Sequence, residues 1–276
     1  MAKIVNETEL IFEESDIKKD GWLRKDFCKK IPIKNITKVV LPDGLKKMPY
    51  GAFSEYESLK EISIPEGVTN ISHGAFRCCW YLQKIHIPNS VTEIDYEAFF
   101  RCGSLKEINI PDSVTEIGCG AFENCYSLKS VDIPDGVTKI GTRSFSGCES
   151  LKEIHIPDSV NEIDDDAFRW CKSLQEIHIP DGVTKIGEHA FAYCGSIYYK
   201  GQDVTNFIRK HDAFDVVKSL SDNDLPLTDG MFDKAMEAKK EDRLRGFLVK
   251  TKKRLSEREV PDIDYSDSDD LNLERS

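Results

Sequence analysis

The chain has 276 residues, 39% hydrophobic and 32% charged, the balance of a soluble globular protein able to bury one large core or two smaller ones. No stretch nears the roughly 18 to 20 apolar residues that a bilayer crossing needs, which excludes membrane insertion. A formal net charge of -11 argues against attraction to nucleic acid or anionic lipid, and a basic partner is easier to accommodate.

Residues 1–14 interleave Lys3, Glu7, Glu9, Glu13 and Glu14 with apolar residues, unlike a secretory signal, which sets an apolar run behind a basic start. With nine cysteines, this leads us to expect reduced thiols and a cytoplasmic location, or the cell surface or a secreted state if a leader has been removed. Residues 1–35 fit no repeat. Trp22, Leu23, Phe27 and the stretch Ile31, Pro32, Ile33 supply apolar groups for an N-terminal cap. Such a cap is needed because a bare end coil exposes its core and its sheet edge.

From 36 to 196 the sequence repeats every 23 residues. Leu59, Leu82, Leu105, Leu128, Leu151 and Leu174 mark the period, with Ile36 one step earlier. Pro42 recurs through Pro180, and Phe53 through Phe191, in all seven copies. The unit reads L-x-x-I-x-I-P-x-x-V-x-x-I-x-x-x-A-F-x-x-C-x-S. In its first part Ile108 and Ile110 alternate with Glu107 and Asn109, the pattern of a strand with one buried face. Proline ends that strand because it has no N–H for a ladder, and the Pro-Asp-Gly or Pro-Asp-Ser that follows is turn chemistry. Val114 to Ile117 alternates again and predicts a second short extended segment; Ala121 to Cys125 has apolar spacings of three and four and predicts one helical turn. A single unit cannot bury its own Leu, Ile, Val, Phe and Cys, so the predicted fold is a stacked solenoid. It has a parallel sheet on its concave face, short extended segments and helical turns on the others, and a C-terminal helical cap.

The motif I-P-D-S-V-T-x-I-G-x-x-A-F-x-x-C resembles the BspA-type leucine-rich repeat family across all seven copies. The first copy departs most, with Tyr56 for the cysteine and Met48 for the isoleucine. The resemblance implies a curved parallel-sheet solenoid used for protein or surface binding, often as a cell-surface adhesin.

Past Ser196 only Ile197 keeps the register. Residues 203–220 and 228–258 read as two helices joined through Pro226, with Asp203 and Thr228 as N-caps. Phe232, Met236, Leu244, Phe247, Leu248 and Leu255 give the second an apolar stripe, and 197–260 is expected to cap the solenoid. Residues 261–276 are too acidic and too poor in apolar groups to fold.

Five features are candidates for function. Cys79, Cys102, Cys125, Cys148, Cys171 and Cys194 recur once per coil, but metal sites use ligand pairs within a few residues, so a buried packing role is favoured. Cys28, Cys78 and Cys119 lie off this ladder and are the expected exposed thiols. On the concave face the strand centre reads Val40, Ser63, His86, Asn109, Asp132, His155 and His178; His155 and His178 are expected neighbours beside Glu153 and Glu176. Side chains of a parallel ladder point the same way instead of converging, so a binding face is favoured over zinc.

Asp43, Glu66, Asp112, Asp135, Asp158 and Asp181, interrupted by Asn89, form an acidic turn stripe suited to cationic partners. Trp80, Tyr81, Tyr96, Phe100, Tyr126, Trp170 and Tyr193 are rings that the repeat does not require; they either cover the turns or form a partner patch. Lys239, Lys240, Arg243, Arg245 and the basic residues at 250–254 resemble a nucleic-acid patch, nearly balanced by Glu237, Glu241, Asp242, Glu257 and Glu259.

No signature of an enzyme or cofactor site occurs. The expected function is non-catalytic protein binding through Glu61, His86, Asn109, Asp132, His155 and His178, with Trp80 and Trp170. The alternatives are an exported adhesin and a metal-dependent enzyme centred on His155 and His178. The repeat body holds 15 basic and 24 acidic residues, a balance of -9.

Overall fold

The computed structural model describes residues 2–24, 33–211, 213–240 and 243–256. The predicted Phe27, Cys28, Ile31 and Pro32, the residues Glu241, Asp242, Glu257 and Glu259, and the tail 261–276 lie outside them. Two compact units are present, Met1–Asp215 and Val216–Ser276.

The first unit is the solenoid. Its seven coils begin at Ile36, Leu59, Leu82, Leu105, Leu128, Leu151 and Leu174, each at most 1% exposed. On one side the strands Lys38–Val40, Glu61–Ser63 and Lys84–His86 run parallel in register, as do Ser130–Asp132 with Glu153–His155, and Glu176–Ile179 with Ser196–Tyr199. The ladder is segmented: coil 4 contributes only a bridge from Glu107 to Ser130, and no ladder joins the strands of coils 6 and 7. The second predicted extended segment forms two-residue strands, Asn70–Ile71, Glu93–Ile94 and Glu116–Ile117 in one sheet, and Lys139–Ile140, Glu162–Ile163 and Lys185–Ile186 in another. Serine after the proline turn ties coils together, since Ser90, Ser113 and Ser159 donate to Val68, Val91 and Val137 carbonyls at 2.6 to 2.8 Å.

The Ala-Phe-x-x-Cys segment corrects the prediction of a helical turn: no helix lies between Lys38 and Tyr199. In coil 2, Ala75, Arg77 and Cys79 N–H groups donate to the carbonyls three residues back, while Gly74, Phe76 and Cys78 donate to Tyr96, Ala98 and Phe100 of the next coil. A helix would turn all these N–H groups along its own axis. Alternation between tight turns and cross-coil bonds instead requires left-handed backbone at two positions per coil, such as Gly74 and Cys78 or Gly120 and Asn124.

This geometry aligns the phenylalanines. Phe53, Phe76, Phe99, Phe122, Phe145, Phe168 and Phe191 stack face to face, centroids 5.2 to 5.6 Å apart. The six ladder cysteines each donate S–H to the phenylalanine carbonyl of the preceding coil at 2.9 to 3.3 Å. Cysteine suits the site because it packs as a small hydrophobe and still carries a weak donor. Burial pushes the thiols up, Cys125 to about 12 and Cys102 and Cys148 also well above the ordinary range. Cys194, at the open end of the ladder and half-exposed, is instead lowered, chiefly by the neighbouring Cys171 thiol.

Both ends of the stack gain strands that the sequence reading lacks. Lys3–Val5 and Glu9–Ile11 form an antiparallel hairpin, and Glu9–Ile11 pairs in parallel with Lys38–Val40. Leu10 and Phe12 are buried there, Phe12 edge-on to Phe53 at 6.3 Å. Leu23 is buried too, and Trp22 bridges Lys47. At the other end Tyr198 and Tyr199 pair antiparallel with Gln202 and Asp203.

Among the described residues four helices follow, not two: α1 (Thr205–His211), α2 (Phe214–Ser221), α3 (Asp229–Lys240) and α4 (Leu244–Ser256). The stripe of Val204, Phe207 and Ile208 would continue through His211 and Asp212, which are polar, and burial resumes at Ala213 and Phe214. Lys239 and Lys240 interrupt the second stripe in the same way before Leu248. Asp203 accepts from Thr205, 2.9 Å from its backbone nitrogen, and Thr228 caps α3 through Met231 at 3.3 Å. Within unit 1, α1 lies against the Ser196–Tyr199 strand; within unit 2, α3 and α4 lie against each other.

Phe145→Ala is expected to cost about 3 to 5 kcal/mol in denaturant unfolding, since it opens a void between two stacked rings. In a Cys28→Ser background, a maleimide at pH 8 is expected to label Cys119, which is exposed, and then Cys78, half-exposed, and to spare Cys79, Cys102, Cys125, Cys148 and Cys171 until the chain unfolds. Rapid native labelling of that buried ladder, read by peptide mass spectrometry, would contradict this core.

Candidate sheet-face binding surface

Two side chains per coil leave the sheet outward, because the flanking isoleucines point in. They are Glu61 and Ser63, Lys84 and His86, Glu107 and Asn109, Ser130 and Asp132, Glu153 and His155, and Glu176 and His178, all exposed. Register places Glu61 beside Lys84, Ser63 beside His86 and Asp132 beside His155. The predicted face therefore exists as one row, although Asn109 reaches it from a segment outside the ladder.

Charge along the row is uneven. Coils 1 to 3 alternate Lys38, Glu61 and Lys84, and Lys38 is held by Glu9 at 3.0 Å. Coils 4 to 7 carry Glu107, Asp132, Glu153 and Glu176, with Asp112, Asp135, Asp158 and Asp181 exposed on the adjoining turns. A groove over coils 5 to 7 is lined by Ser130, Asp132, Glu153, His155, Asp158 and His178.

The two histidines share that groove but face different neighbours. His178 stacks on Tyr198 at 5.3 Å and lies 3.8 Å from Glu176, while His155 is registered with Asp132. Among the described residues no group of three or more His, Cys, Asp or Glu side chains is arranged to hold a metal ion.

Trp80 and Trp170 do not join this face. Trp80, half-buried, lies on the turn side against the Arg101 guanidinium at 5.7 Å, and Phe100 sits between Arg77 and Arg101 at 4.8 and 5.0 Å. Trp170 stacks on Tyr193 at 3.8 Å, four coils from Trp80. Of the basic C-terminal residues, Lys252 pairs with Asp224 at 3.1 Å. No described helix is long and apolar enough to cross a membrane.

The family model for the BspA type leucine-rich repeat region, built of six copies, matches residues 32–152 and 92–221. A leucine-rich repeat protein of Bacteroides ovatus is similar at 27% identity and a TM-score of 0.59, covering 71% of this chain and 55% of its own. This chain thus spans about half the length of that relative. The T. pallidum leucine-rich repeat protein is similar at 26% identity and a TM-score of 0.55, covering 76% of this chain and 92% of its own. No curated protein matches the sequence significantly. With seven stacked coils, the phenylalanine and cysteine ladders and a family match over most of its length, this chain belongs to the BspA-type leucine-rich repeat family.

Proposed function

We propose that the chain is a non-catalytic solenoid whose sheet face takes up a basic segment of a protein partner. The observation that carries this is the concentration of Glu107, Asp132, Glu153 and Glu176 on coils 4 to 7, over a groove of fixed backbone. Glu153 and Glu176 share one column on neighbouring coils, as Asp112, Asp135, Asp158 and Asp181 do on four successive coils; a spacing of roughly 4.8 Å per coil is closer than the Debye length of about 8 Å, so their potentials add and steer cationic segments. Because the core fixes these strands before binding, little ordering entropy is lost. Within this reading Asn109, His155 and His178 supply hydrogen bonds and Tyr198 an aromatic wall, and Glu61 and His86 extend the face toward the N-terminal coils. An adhesin at the cell surface would use the same face, and the reading frame upstream of Met1 distinguishes that setting.

The double substitution Asp132→Lys and Glu153→Lys is expected to weaken partner capture at least tenfold, and wild-type capture to fall as salt rises from 50 to 300 mM. Glu116→Lys, exposed on the second sheet, should leave capture unchanged. Isolation of partners from the native cell with quantitative mass spectrometry reads both, and equal capture by the double variant would remove the sheet face from the binding reaction.

A further inference from the structure

The strand residues of the sheet face lie between two charged margins. On the side where each strand begins, Lys60, Lys106, Lys129 and Lys152 share one column, with Gln83 and Gln175 in the same position on coils 3 and 7. The Lys129 and Lys152 N–H groups donate to the Lys106 and Lys129 carbonyls, both at 2.9 Å, so these three residues repeat at the coil spacing. On the side where each strand ends, Asp112, Asp135, Asp158 and Asp181 form the opposite margin. Lys106 lines a groove over coils 2 to 4 and Asp158 the groove over coils 5 to 7, so both margins border the binding face itself.

Lys106, Lys129, Lys152 and the four aspartates are all exposed. Among the described residues neither margin is held in an ion pair, unlike Lys38 and Lys172, which Glu9 and Glu149 hold at 3.0 and 2.8 Å. The margins do not neutralise each other, because Lys106 and Asp112 are six residues apart along a mostly extended chain, roughly 20 Å against a Debye length of about 8 Å. Charge therefore grades across the strands in the same sense on coils 4, 5 and 6. It is positive where the strands begin and negative through Glu107, Asp132 and Glu153 to the aspartates. A uniformly basic ligand matches only part of this face and is repelled at the lysines.

We infer that the partner segment is an α-helix of segregated charge, lying along the stack across the strands, its basic side toward the aspartates and its acidic side toward Lys106, Lys129 and Lys152. This rests on the sheet-face reading and names the form of the segment. A helix of about 10 to 12 Å diameter fits within the roughly 20 Å between the margins and leaves room for a charged side chain to reach each one. Its pitch of about 5.4 Å nearly matches the coil spacing of about 4.8 Å, so one residue per turn meets one coil and drifts by only about 2 Å over four coils. An extended strand laid the same way spaces same-side residues by about 6.6 Å and drifts by about 5 Å. Repulsion sets the orientation, since a helix turned over would put its basic side against the lysines.

The test titrates the full chain with synthetic alanine-based peptides by fluorescence anisotropy at low salt. One helix carries Lys on one side and Glu on the other; a second mixes the same residues on both sides; a third is the first with a central proline; a fourth is the first with Gln for Glu. The first is expected to bind at least tenfold more tightly than the second and third. Lys106→Glu, Lys129→Glu and Lys152→Glu together are expected to weaken the first at least tenfold and to strengthen the fourth, with circular dichroism checking the fold. No binding of the first peptide, equal affinity for the first and second, or no loss in the triple variant overturns the helix and leaves the sheet face to be judged by its own test. Binding indifferent to Asp132→Lys with Glu153→Lys removes the sheet face and this inference with it. Dimerisation of the chain in sedimentation, abolished by the triple variant, assigns the face to a second copy and overturns the helix too.

Discussion

The phenylalanine peptide of each coil is where the stack is locked, because one residue makes bonds within its coil and to the next. Phe76 donates its N–H to Ala98 of the following coil at 2.8 Å, while its carbonyl accepts both the N–H of Cys79 and the thiol of Cys102. Its ring touches Phe53 and Phe99. A coil longer or shorter by one residue would lose these bonds together, and the strand opposite would present its isoleucines to solvent. The strict 23-residue period is the trace of that coupling in the sequence. It also explains why the stability of one coil is inseparable from that of its neighbours.

The same repetition made much of the fold legible. Each buried column is sampled seven times, so the strand, the proline turn, the second extended segment and the thiol ladder stand out from single-residue noise. The turn segment was misread because spacings of three and four suit a helical face and a run of tight turns equally well. A usable signal existed: Gly51, Gly74 and Gly120 share one column and Gly147 occupies the other, the two columns with left-handed backbone. Non-glycine occupants such as Cys78, Arg101 and Trp170 carry no local mark of that conformation and are held there by the cross-coil bonds, against a cost on the order of 1 kcal/mol each. The end strands were missed for a different reason. Lys3–Val5 and Glu9–Ile11 are three residues each, too short for alternation to register, and they exist because coil 1 presents an edge to pair with.

The sheet-face row was readable because it follows from alternation alone, and the structure places Glu61, His86, Asn109, Asp132, His155 and His178 outward as expected. Trp80 and Trp170 lie away from that row, since sequence position within a coil fixes the side on which a residue lies. Both fall next to the ladder cysteine, on the turn side. A depression beside Trp170 was harder still to see, because it arises from a difference between coils, small residues at 146 and 147 flanked by large ones 23 residues away in each direction.

A solenoid of this kind separates stability from recognition. The core columns are nearly invariant from coil to coil, which leaves the outward positions free to differ, and what varies along each side defines a surface. On the sheet side the variation is in charge, with strand residues of alternating sign in coils 1 to 3 and acidic strand residues in coils 4 to 7. On the turn side it is in size and aromaticity, with ion pairs that cancel locally. The two sides of one stack can therefore differ in chemistry without any change to the columns that hold it together.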